Sequence, residues 1–228
     1  MRFFFLLAVT LILTSCGPRY QPRYSETPVP PVIAVQPKKV TITIDPGHGG
    51  KDEGAHAKNP DYQEKVCTLA TSIMLKKYLD SMGYHTIMTR ADDTFIPLDA
   101  RSCFANSNHS DLFVSVHYNA AESKSAKGIE VFYYKSDKDV QRTAASKDLA
   151  ENVLNKILSQ TQSESRGVKQ GNLAVIRETK MPAILVEGGF LTNDNERAKI
   201  LTPDYSKRLA WGIALGIRKY LEQTKHAL

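Results

Sequence analysis

Between Val40 and the C-terminus, the spacing of apolar and polar positions changes period several times. Val40 to Ile44 reads as a buried strand. It runs into the glycine-rich stretch "DPGHGGKDEGA". From Glu64, "EKVCTLATSIMLKKYLDSMG" puts Val66, Leu69, Ala70, Ile73, Leu79 and Met82 near helical spacing, with Gly83 as a stop. "HTIMTR" is a second predicted strand, "PLDARSCFANSN" a helix, "DLFVSVH" a third strand and "GIEVFYYK" a fourth. A long helix follows over residues 139–159, with Val140, Ala144, Leu149, Val153 and Ile157 as its core-packed face. "NLAVIR" and "AILVE" read as short strands, and "YSKRLAWGIALGIRKYLEQ" as a closing amphipathic helix. Strands alternating with helices predict a single α/β domain over residues 40–228. Its sheet should be twisted, mostly parallel and of about six strands, with helices on both faces.

The first 39 residues do not fit that pattern. "MRFFFLLAVTLILTSC" carries one positive charge at Arg2 and an apolar run from Phe3 to Leu13. The run is too short to span a membrane and suits a secretory signal. Leu13-Thr14-Ser15-Cys16 resembles the box of bacterial lipoprotein signals, which implies cleavage before Cys16 and a lipid on that cysteine. A plain signal peptide or an uncleaved anchor is the alternative. Residues 1–15 are thus expected to be a signal peptide. The proline-rich residues 16–39, "CGPRYQPRYSETPVPPVIAVQPKK", are expected to be a tether that holds the domain off the membrane. The resemblance places the protein on the periplasmic side of a membrane, or otherwise at the cell surface. Gly17, rather than Asp, after the cysteine implies the outer membrane in a Gram-negative cell.

Composition adds bounds. The chain has 228 residues, 42% hydrophobic and 24% charged, enough for one sizeable core. The net charge of +6 falls to +5 without residues 1–15, which hold only Arg2 among charged residues. That modest excess suits work near anionic polymers or headgroups. No arginine-rich run or RNA-binding signature points to nucleic acid. A monomer is expected. Cys67 and Cys103 lie in helical patterns next to apolar residues and are expected to be buried free thiols.

The chemistry gathers at strand ends. The first strand runs into His48, the third ends at His117 and the last at Glu187, while Glu64 opens the first helix. In a parallel sheet the strand C-termini share one edge, where sites gather. Two imidazoles and a carboxylate are a plausible ligand set for zinc, with a further carboxylate free to move a proton. Taken singly, each residue also has an ordinary reading: a turn histidine, a strand-end histidine, a helix N-terminal acid, a solvated strand-end charge. Other hydrolase patterns are missing. No histidine starts a His-Glu-x-x-His or His-x-x-Glu motif, and no serine starts Ser-x-x-Lys.

Four blocks together, "TIDPGHGGKDEGA", "EKVCTLATSIMLKKYL", "TRADDTFIPLDARSCFANSNHSDLFVSVHYNA" and "SRGVKQGNLAVIRETKMPAILVEGGFLTNDNE", resemble the zinc-dependent N-acetylmuramoyl-L-alanine amidases of cell-wall hydrolases, in the right order over nearly the whole domain. The resemblance implies a peptidoglycan hydrolase that cuts between muramic acid and L-alanine. It implies Zn²⁺ held by His48, Glu64 and His117, with Glu187 as the catalytic base. Asp45 is a candidate support for a ligand. Lys169, Asn119 and Arg101 fall in the same blocks and are expected to contact substrate or hold the site together. Tyr118 stands where a small residue is common and is expected to narrow the cleft. Gly188 and Gly189 stand where Ala or Leu is common. Only "YNAAESKSAK" separates His117 from the next strand, too short for a helix that covers the zinc. A zinc amidase acting on another muropeptide bond and a non-catalytic wall-binding lipoprotein are the alternatives.

Overall fold

The structure is a computed structural model describing residues 40–58 and 61–225. The expected signal peptide and the whole tether, Cys16 included, lie outside them. The strand β1 (Thr41–Pro46) leads into a loop and a small hairpin, β2 (His56–Lys58) with β3 (Asp61–Gln63). Helix α1 (Glu64–Ser81), β4 (His85–Met88), α2 (Leu98–Ser107), β5 (Leu112–Asn119) and β6 (Ile129–Tyr133) follow. Then come α3 (Val140–Thr161), β7 (Ser165–Gln170), α4 (Ala174–Arg177), β8 (Ala183–Phe190), α5 (Asp194–Ile200) and α6 (Pro203–Lys225). Six strands form one sheet in the order β4-β1-β5-β8-β6-β7. Neighbours are parallel except β6 and β8, which are antiparallel. The predicted single α/β domain, with a mostly parallel sheet and helices on both faces, is what the chain forms.

The two faces differ in chemistry because side chains alternate along each strand. On one face Ile42, Ile44, Val114, Val116, Val131, Ile184 and Val186 are buried beneath α1, α3 and α6. Each such side chain contributes about 1.5–3 kcal/mol by leaving water. Helix α6 lies very close to α3. A Cβ added at Gly216 would stand 2.4 Å from Val153 Cα, and one at Gly212 2.6 Å from Ile157 Cα. On the other face Phe113, Ala183 and Leu185 pack with Ala105 of α2 and with Val175 and Ile176 of α4. Those two helices are short. Beyond them the same face carries His117, Glu187 and Glu130, register partners on β5, β8 and β6. The site opens there.

Several expectations need correction. "NLAVIR" is not a strand: Ala174–Arg177 is the single turn α4, and the strand is the preceding "SRGVKQ". Val175 and Ile176 gave a β-like apolar signal because both are buried under the sheet from one helical turn. Strand β7 gave little signal because it is a polar, half-exposed edge. The apolar stripe expected on α1 is mostly not the buried one. Val66 is 60% exposed, and the inward face is Glu64, Cys67, Thr68, Thr71, Ser72, Leu75 and Leu79. In α3, Leu149, Val153 and Ile157 are buried as predicted, but Val140 and Ala144 are exposed. Cys67 is a buried free thiol as expected, whereas Cys103 is free and exposed.

Candidate metal centre

The loop after β1 places His48 in a left-handed conformation, φ 60°. A residue with a Cβ is strained there, so the surroundings must hold it. Charged donors take the backbone carbonyls. Arg101 Nη1 donates to Pro46 O (2.7 Å) and Nη2 to His48 O (2.7 Å), while Arg90 Nη2 donates to Gly47 O (2.7 Å). Lys65 Nζ donates to Gly50 O (2.8 Å). His48 Nδ1 donates to Asp52 Oδ1 at 2.9 Å, which fixes the tautomer and leaves Nε2 facing Glu64.

Helix α1 begins at Glu64, and its buried carboxylate is aimed by two backbone amides. Tyr118 N donates to Oε1 (3.0 Å) and Ala55 N to Oε2 (3.0 Å). His48 Nε2 and His117 Nδ1 each lie 3.1 Å from Glu64 Oε1. The imidazoles meet edge to face with centroids 4.8 Å apart. Two glycines make this convergence possible. A Cβ at Gly47 would stand 2.3 Å from His117 Cε1, and one at Gly54 2.6 Å from Glu64 Oε2. His48, Glu64 and His117 thus offer three ligand atoms within 4.8 Å of one another. Ligand atoms 2.0–2.1 Å from a tetrahedral zinc stand roughly 3.3 Å apart. The donor set and its spacing fit that ion.

The electrostatics separate the two glutamates. Burial pushes the Glu64 carboxyl up, but His117 and His48 outweigh it and hold it well below the usual carboxylate range. Burial lowers His48, while Glu64 and Asp52 outweigh that and raise it. Glu187 goes the other way. Burial pushes it up to about 7, opposed by His117 and reinforced by Glu64 and Glu130. Its Oε2 is enclosed and has no hydrogen-bond partner among the described residues.

Each residue expected in the site from sequence lies at this edge. Two auxiliary expectations fail. Asp45 does not support a ligand side chain; it accepts from Arg101 Nη1 (2.8 Å), Thr89 Oγ1 (2.6 Å) and Ser115 Oγ (2.8 Å) beneath the loop. The supporting carboxylate is Asp52, four residues after His48 in the same loop. Tyr118 does not narrow the cleft. It follows His117 on β5, so it points to the opposite face, 1% exposed, with its hydroxyl 2.7 Å from Thr71 Oγ1. Gly188 makes room for it, since a Cβ there would stand 2.9 Å from Tyr118 Cε1.

Sequence reasoning missed Glu130. It is buried beside the site and accepts from Asn119 Nδ2 (2.6 Å), Arg166 Nε (2.8 Å) and Lys169 Nζ. Burial raises its carboxyl, but Lys169 and Arg166 outweigh that and leave it lowered. The pairing joins strands far apart in sequence, and nothing in the spacing announces it.

Residues 42–219 match the family model described as N-acetylmuramoyl-L-alanine amidase. Among solved structures, an N-acetylmuramoyl-L-alanine amidase from Clostridium difficile 630 is 38% identical, with a TM-score of 0.76 over 81% of this chain and 97% of that one. The catalytic domain of CwlV, an N-acetylmuramoyl-L-alanine amidase from Bacillus (Paenibacillus) polymyxa var. colistinus, is 36% identical, with a TM-score of 0.74 over 80% and 98%. LytH of Staphylococcus epidermidis, named a probable cell wall amidase, is 35% identical over 184 residues. The match covers 80% of this chain and 59% of LytH.

Proposed function

The chain belongs to the N-acetylmuramoyl-L-alanine amidase family, and we propose that it hydrolyses the amide between the lactyl group of muramic acid and L-alanine in peptidoglycan. His48 through Nε2, His117 through Nδ1 and the Glu64 carboxylate would hold zinc. Zinc supplies Lewis-acid chemistry, acidifying water and polarising a carbonyl. Asp52 holds the Nδ1 proton of His48 so that Nε2 presents its lone pair. Glu64 stays ionised, fixed by two amides, and carries no proton through the reaction. Glu187 takes a proton from the attacking water and returns it to the leaving amine nitrogen.

The observation that carries this division is the contrast between the two glutamates. One is saturated with donors and held acidic. The other has an unpartnered oxygen and a pKa pushed up to about 7, where a carboxyl both accepts and releases a proton at neutral pH. Muropeptide mass spectrometry tests the reading. Peptidoglycan treated with the protein should release stem peptides with a free L-alanine amine, and a chelator should stop the release. Cleavage at any other bond refutes it. Glu187→Gln should keep zinc and lose about 10²–10⁴-fold in rate, whereas His117→Ala should lose zinc. Loss of zinc in the Glu187 variant would instead make that residue a ligand.

We also propose that Cys16 carries a lipid and anchors the domain to a membrane. The box Leu13-Thr14-Ser15-Cys16 supports this. Cys16→Ala should release the protein to the soluble fraction; unchanged membrane retention would favour an uncleaved anchor.

A further inference from the structure

We propose that Arg166 and Lys169, seated on the buried carboxylate of Glu130, form a subsite for the α-carboxylate of the second residue of the stem peptide. The proposal rests on the amidase reading and deepens it.

The placement comes from the sheet. His117, Glu187 and Glu130 are register partners on three adjacent strands and lie in one row on the face that α2 and α4 leave open. Arg166 and Lys169 come from β7, the next strand outward. Both reach back to the same oxygen, Glu130 Oε2, while Asn119 Nδ2 holds Oε1. One carboxylate therefore carries two cations, and the cluster keeps one positive charge beyond its own neutrality. Glu130's side chain is 6% exposed, but Arg166's is 37% and Lys169's 38%. The anion is inside and the cations are at the mouth. Arg166 is held further by Phe190, whose ring its guanidinium covers at 4.8 Å, so the excess positive charge is presented in a fixed place for an incoming anion to balance.

The distances suit a stem peptide. Two strand spacings separate the His117 row from Glu130, about 10 Å. A glutamate in second position, linked onward through its γ-carboxyl, carries a free α-carboxylate. Two extended residues span about 7 Å from the scissile amide, and the carboxylate adds to that reach. With the scissile carbonyl beside His117, the peptide would run across β8 and β6 and bring this carboxylate to the cation pair. A bidentate or two-point contact from a guanidinium and an ammonium is the recognition that a carboxylate takes best.

The test compares two ligands that differ only at that group, N-acetylmuramoyl-L-alanyl-D-isoglutamate and the corresponding D-isoglutamine. Calorimetry with the full-length Glu187→Gln chain reads binding, and the native chain reads kcat/KM. The acid should be preferred by about tenfold. Lys169→Ala and Arg166→Ala should each cut the preference, the double variant should remove it, and Lys169→Arg should keep it. Equal or absent binding of the two ligands, or variants that weaken both alike, overturns the proposal and reduces the cluster to a brace for Glu130. Preferred binding of the acid by a native chain that cleaves neither ligand nor peptidoglycan would sink the amidase reading and leave the subsite standing.

Discussion

Gly47→Ala isolates the role of space in the centre. The glycine lies between β1 and His48, and its missing side chain is where the His117 imidazole sits. An added Cβ would stand 2.3, 2.4 and 2.6 Å from Cε1, Nε2 and Nδ1 of that ring. Ordinary carbon contacts are about 3.5–4.0 Å, so the imidazole must retreat by roughly 1 Å. A metal site tolerates about 0.2 Å in a ligand distance. The variant should therefore lose more zinc affinity than the 10–100-fold typical of losing a ligand's support. The fold should survive, since overpacking costs about 1–3 kcal/mol against a stability of about 5–15 kcal/mol. Chelator competition reads the zinc affinity and urea unfolding of the metal-free protein reads the fold. The same substitution in a His117→Ala background, where the clashing ring is gone, should leave urea stability close to unchanged. Zinc affinity within threefold of the parent, or an equal loss of urea stability in both backgrounds, would show that the ring is not what Gly47 accommodates.

Arg101→Met should destabilise the domain by about 3–5 kcal/mol, because it strands the fully buried Asp45 carboxylate, and Asp45→Asn/Arg101→Met together should cost less than that single change. Denaturant unfolding of Arg101→Met, Asp45→Asn and the double variant decides it, and a double variant as costly as the sum of the two single changes would refute the charge argument. Zinc affinity should fall as the pH drops below the raised pKa of His48, by up to about tenfold per unit, because a proton then competes for Nε2; a flat affinity between pH 8 and pH 6 would contradict this. In protein lacking residues 1–37, a thiol reagent at pH 8 should modify Cys103 quickly and Cys67 only after unfolding, since burial pushes Cys67 up to about 11. Two fast thiols would mean that α1 does not pack as described.

Periodicity carried most of the fold and failed where function or edges bend it. Strands β1, β5 and β8 were legible because their residues are buried on both faces. The inward face of α1 was not, because it serves the centre: Glu64, Thr68 and Thr71 replace the apolar stripe, and Val66 is pushed to the surface. That His48, Glu64 and His117 would share one edge was legible from strand ends and resemblance. Their supports were less so. Asp52 lies within the loop and could have been read there, but Asp45, one residue from the turn, was the more obvious candidate and proved to serve Arg101. Glu130 pairs with residues 36 and 39 positions away, and only the strand order brings them together.

The loop that carries His48 shows how the site is kept ready. It cannot be held by packing, because glycines leave nothing to pack. It cannot depend on zinc alone, since the metal would then have to order a strained backbone as it bound. The chain instead turns the carbonyls of Pro46, Gly47, His48 and Gly50 toward three cations, Arg90, Arg101 and Lys65. Each cation is itself anchored away from the metal. Arg101 sits on Asp45, Lys65 on Asp93, and Arg90 on Asp92 O and Thr68 Oγ1. Hydrogen bonds to charged groups contribute about 1.5–3 kcal/mol each, against about 1–3 kcal/mol for one residue held in a sparsely populated conformation. A single such bond would roughly balance His48's strain, and the five to these carbonyls exceed it. The same bonds direct the loop's carbonyls away from the centre, so that side-chain nitrogens and the Glu64 carboxylate meet there instead of backbone oxygen. On the zinc reading, a site made this way would favour a metal that takes nitrogen and carboxylate ligands before any metal arrives.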